Sequence, residues 1–108
     1  MRELLGQEHP PSALIVANNL MALGALQAIR ERGLRVPVDI AVIAVDNPDW
    51  SELLDPPLTV LAQPIRAMAT QAAELLIRRI RGEEFAPVHE VYPLELIVRR
   101  SCGTAHPH

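Results

Sequence analysis

An α/β fold built on a parallel sheet is what this 108-residue sequence predicts, and three observations predict it. Two short runs, "ALIVA" at residues 13–17 and "IAVIAV" at 40–45, are continuously aliphatic, as strands covered on both faces are. Residues 20–32 lie between them and carry apolar side chains at helical spacing. A second helical pattern fills residues 65–81. Strand, helix and strand with a short return make a βαβ unit, which implies parallel pairing with a right-handed crossover.

Each element has its own warrant. Residues 3–7 read as the tail of a helix stopped by "HPPS". In the helix over 20–32, Ala22, Ala25, Leu26 and Ile29 form the stripe that faces the sheet. Gly33 stands where a left-handed C-terminal cap falls, with Leu34 as its apolar clasp. Residues 46–57 read as loop, with one helical turn at 50–54. "LTVLAQ" at 58–63 gives a third strand, and Pro64 suits the first turn of the helix after it. That helix places Ile65, Met68, Ala69, Ala72, Leu76 and Ile80 on one face, with Glu74 and Arg78 as an i,i+4 pair on the other. Gly82 ends it. Two short strands are expected at 89–92 and 94–99, and a disordered tail at 102–108.

Composition narrows the function. The chain is long enough to bury roughly two thirds of its unfolded surface, and with 3% aromatic residues its core must be aliphatic. Net charge is −3 with no basic arm, which argues against direct nucleic-acid binding by this segment. A single cysteine, Cys102, excludes an intrachain disulfide and a Cys-based zinc site. No run approaches the ~20 apolar residues of a membrane span, and the first ten residues are too polar for a secretory leader. A cytoplasmic location follows by default. His106 and His108 read as part of a frayed tail, so no metal site and no cofactor are expected.

Open parallel sheets bind ligands beyond the carboxyl ends of their strands. Asn18 and Asn19 follow the first strand, Asp46 and Asn47 the second, and Gln63 ends the third. Together they offer donors and acceptors suited to vicinal hydroxyls, with no nucleophile among them. Asp46 and Asp49 lack the nucleophile or metal that a catalytic carboxylate pair needs, and neither a glycine-rich phosphate loop nor a nucleophile elbow is present. The set is read as a binding site and the chain as no enzyme. One of the two adjacent amides can cap the helix while the other reaches a ligand. The helix over 20–32 is apolar nearly all round: Met21, Leu23, Gly24 and Ala28 form a second surface, which a two-fold partner can cover together with the loop near Trp50. The alternative cover is the N-terminal segment of the same chain.

"PSALIVANNLMALGALQAIRERGLRVPVDIAVIAVDN", "DPPLTVLAQPIRAMATQAAELLIRRIRG" and "YPLELIVRRS" together resemble the C-terminal part of the sensor domain of LacI-type transcriptional repressors, over residues 11–101. The resemblance implies a partial periplasmic-binding-protein-like type I fold: the βαβ unit, then a crossing strand, a helix and C-terminal strands. It makes residues 1–101 a partial sensor domain, roughly the last third of a repressor, with the DNA-binding domain and first subdomain absent. DNA would then be reached only through a domain outside this chain. Asn18, Asp46 and Gln63 match positions that hydrogen-bond the effector, usually a sugar. Asn19 and Asn47 match positions often held by Asp, and Ala44–Val45 replace a glycine–aromatic pair. The resemblance also implies homodimerisation through the helix over 20–32, and a helix after "LTVLAQP" that packs on the other subdomain. The competing expectation is a fragment of a periplasmic-type sugar-binding protein of a transporter.

Overall fold

A computed structural model describes residues 1–104; residues 105–108, with His106 and His108, lie outside the described part. The elements run α1 (Arg2–Leu5), β1 (Ala13–Val16), α2 (Asn19–Glu31), β2 (Ala41–Val45), a 3-10 turn (Asp49–Glu52), β3 (Thr59–Ala62), α3 (Ile65–Ile80) and β4 (Glu95–Ile97). The sheet order is β1-β2-β3-β4. β1, β2 and β3 are parallel, as the βαβ reading requires, and β4 returns antiparallel to β3. Among the described residues one strand, not two, forms after α3. The segment at 89–92 has no neighbouring strand, because β4 alone pairs with the open side of β3.

α2 is built as its sequence reads. Asn18 Oδ1 accepts the Met21 N–H at 2.9 Å, one of the otherwise unpaired donors of a helix start. At the far end Gly33 takes φ 68°. Leu34 N–H then reaches the Ile29 carbonyl and Gly33 N–H the Arg30 carbonyl, at 3.1 and 2.9 Å, the paired bonds of a Schellman cap. The stripe of Ala22, Ala25 and Ile29 is buried with Val16, Val42, Ala44 and Val60 of the sheet. α1 folds beside this helix. Leu5 joins the same core, Arg2 pairs with Glu31 at 3.0 Å, and Arg32 donates to the Leu5 carbonyl. Ala28 is thereby buried, whereas Met21 and Leu23 remain exposed.

α2 covers one face of the sheet, and the other is open at Ile15. Side chains alternate along the strands, so Ile15 turns away from α2 and is 71% exposed. α3 contributes nothing to the core: none of its 16 residues is buried. Arg78 pairs with Glu83 at 2.6 Å rather than with Glu74, because Gly82, at φ 86°, turns the chain back over the helix end. Arg78 and Arg79 both sit against the Phe85 ring, 4.4 and 4.2 Å from its centroid. The radius of gyration is 18.4 Å, against roughly 13 Å for a compact domain of about 100 residues. Ser101 and Cys102 form a turn, and Cys102 Sγ lies 2.9 Å from Thr104 Oγ1.

Candidate effector site

Parallel pairing brings the carboxyl ends of β1, β2 and β3 side by side. Val16 pairs with Ala44 and Val45 with Leu61, so Asn18, Asp46 and Gln63 emerge in one row. With strands spaced about 5 Å apart, the row is about 10 Å wide.

Within it Asp46 and Gln63 meet. Gln63 Nε2 donates to Asp46 Oδ1 at 2.5 Å, and Asp46 N–H donates to the Leu61 carbonyl at 2.9 Å. Asp46 takes φ 83°, a conformation few non-glycine residues adopt and that Asp tolerates better than most. The side-chain contact falls on Asp46 Oδ1. Asn18 spends its Oδ1 on the helix cap and is itself exposed, so its Nδ2 hydrogens are available as donors. Asn19, half-buried, opens α2 beside it. Asn47 is placed differently. Its Oδ1 accepts from Ser51 Oγ and from Arg99 Nη2, both at 3.0 Å, so this amide braces its own loop.

Arg99 went unremarked in the sequence. It lies 52 residues from Asn47, and only the terminal motif "IVRRS" marked its neighbourhood. Trp50 packs partly buried against the core. Leu53, three residues on, is 85% exposed instead. Leu53, Leu54 and Pro56 face Leu23, Leu26 and Gln27 of α2 across an open groove of about 870 Å³. Gly24 lies on a second hollow with Met21, against α1.

Residues 1–102 match the family model of the periplasmic binding protein-like domain. The chain belongs to that family. Its relatives there are LacI-type repressors. It is 43% identical over 106 residues to the HTH-type transcriptional repressor PurR of Histophilus somni, covering 96% of this chain and 31% of that protein. It is 38% identical over 101 residues to the repressor CytR of Escherichia coli, covering 94% and 30%. Among solved structures, a LacI-type transcription regulator from Bifidobacterium animalis superposes with a TM-score of 0.83 at 35% identity, over 93% of this chain and 36% of that one. A complex of the regulator CelR with cellobiose gives 0.76 at 41% identity, over 83% and 28%. The chain thus spans about a third of the length of these relatives. The partial periplasmic-binding-protein-like fold is confirmed, and the repressor relatives favour the regulator over the transporter expectation. Among the described residues no helix is long and apolar enough to cross a membrane.

Proposed function

We propose that this chain forms one wall of the effector cleft of a LacI-type transcriptional regulator, together with its self-association surface. The observation that carries the reading is the row of Asn18, Asp46 and Gln63 across three adjacent strand ends, with Asp46 and Gln63 already in contact. Asp46 accepts ligand hydroxyls, Asn18 and Gln63 donate, and Asn19 lines the edge. The effector class is a sugar, and the cellobiose held by the relative CelR supports this. The role is binding rather than catalysis, and DNA is contacted through another domain. A regulator of this kind works in the cytoplasm as a homodimer. In this chain the dimer surface is the groove between α2 (Leu23, Leu26, Gln27) and Leu53–Leu54.

The test is a ¹H–¹⁵N NMR titration of the chain with cellobiose, D-xylulose and glucose. A wall without its opposite leaves most of a ligand in water, so affinity should be no tighter than about 1 mM. The shifts should gather at Asn18, Asp46 and Gln63 and disappear in Asp46→Ala. Loss of a charged hydrogen-bond partner removes about 1.5–3 kcal/mol, roughly 10- to 100-fold in affinity. Shifts gathered elsewhere, or an unchanged response in Asp46→Ala, would sink the assignment.

A further inference from the structure

The guanidinium of Arg99 has the densest set of polar contacts in the described chain, and no role considered so far uses it. Nη1 donates to Ser51 Oγ and to the Leu58 carbonyl, both at 2.8 Å. Nη2 donates to Asn47 Oδ1 at 3.0 Å and to Glu52 at 3.1 Å. The side chain is only 11% exposed. Its backbone is fixed as well. Arg99 N–H donates to Thr59 Oγ1 at 2.9 Å, and Arg100 and Ser101 N–H both donate to the Pro57 carbonyl at 3.1 Å. Buried Ser101 closes the staple: its Oγ donates to the Val42 carbonyl at 2.6 Å and accepts the Thr59 N–H at 2.8 Å. The arginine therefore reaches out from a base tied to both β2 and β3.

What it grips is the turn that leaves β2. Asn47, Ser51 and Glu52 all belong to that turn, and Asn47 directly follows Asp46. The φ of 83° at Asp46 is a sparsely populated conformation that persists only where the surroundings over-determine it. Leu61 holds Asp46 from the strand side and Arg99 holds the next residue from the other. An arginine suits the task because its planar fork of five donors can serve several fixed acceptors at once, whereas a lysine ammonium is a mobile point charge with three.

We propose that Arg99 is a positioning residue of the effector site: it holds the Asp46–Glu52 turn in the shape that presents Asp46, and it ties that turn to the strand β4 two residues before it. The proposal rests on the reading of Asp46 as an effector contact.

The sole tryptophan, Trp50, lies inside the gripped turn, so acrylamide quenching of its fluorescence reports the turn directly. Cellobiose-induced shifts of the Asp46 amide report the presentation of the site. In Arg99→Ala the quenching constant should rise at least about twofold as the turn opens locally. Asp46 should lose most of its cellobiose response, and the Asn18 response should weaken with it. Arg99→Lys should recover less than half of the protection. Asn47→Ala leaves the Leu58 bond in place and should give a smaller change in the same direction; it decides the question if Arg99→Ala does not fold. Unchanged quenching in these variants overturns the proposal. So does full rescue by lysine, or a loosened turn in which Asp46 responds to cellobiose as before. A wild-type chain that responds to no sugar removes the effector reading and the proposal with it, and the Trp50 measurement distinguishes that failure from a failure of the clip.

Discussion

α2 and α3 carry similar amphipathic patterns and meet opposite fates. α2 buries Ala22, Ala25, Ala28 and Ile29 against the sheet and α1; α3, three residues longer, buries nothing and leaves Ile80 75% exposed. Helical periodicity identifies an apolar face without identifying what covers it. The same holds for the sheet, whose α2 side is a core and whose other side exposes Ile15. In this chain the packed half is α1, α2 and the parallel strands, and that half also positions the candidate site.

The largest expected effect tests this contrast directly. Ile29→Ala opens a cavity beneath α2 and should cost about 2–5 kcal/mol in urea denaturation. Leu76→Ala on α3 removes a side chain already in water and should stay within about 0.5 kcal/mol. Comparable losses for the two would mean that α3 has a hidden partner in solution. Second in size is the helix start. Asn18→Ala should cost about 1 kcal/mol through the lost cap and also remove the Asn18 response to sugar. α3 begins at Pro64 with no side-chain cap, so Gln63→Ala should alter sugar response with little change in stability.

The packed half was legible because its signals are local. The aliphatic runs, Asn18 as a cap and Gly33–Leu34 as a clasp each act within a few residues, and parallel pairing then fixes which strand ends share a row. The row of Asn18, Asp46 and Gln63 followed from topology. What the sequence did not disclose depends on distant partners. Arg78 selects Glu83 over Glu74 because of the turn at Gly82. Asn47 is drawn into its own loop by an arginine near the far end of the chain. The inward turn of Trp50 and outward turn of Leu53 are set by a 3-10 geometry that composition does not specify.

Two apolar surfaces now compete as self-association sites, and a pair of charge substitutions separates them. Sedimentation equilibrium at ~100 μM populates micromolar dimers. Leu23→Glu should shift such dimers to monomer with helical circular dichroism intact, because Leu23 borders the α2 groove and is not part of the core. Leu76→Glu should leave the assembly unchanged. The reverse pattern would move the contact to α3.

The smallest effect concerns the end of α3, where a charged hook does what packing does for α2. The Arg78 guanidinium hydrogen-bonded to Glu83 holds that carboxyl below its ordinary value of 4.5, and Glu83 in turn raises Arg78. A carboxyl with a depressed folded value contributes its stabilisation above the unfolded value and loses it as pH falls through the folded one. The hook is therefore complete above about pH 4.5 and opens in more acidic solution. Both side chains are about half exposed, so solvent screening keeps the contribution small and local. In an NMR pH titration Glu83 should titrate below the ordinary carboxyl value of 4.5. Residues 78–85 should shift with it while the amides of Ile29 and Val42 stay still. If the core amides move with Glu83, the end of α3 is coupled to the packed half. If Glu83 titrates at the ordinary carboxyl value, the Arg78 pair is not formed in solution. In Arg78→Ala the depression at Glu83 should vanish, since the guanidinium is the group that creates it.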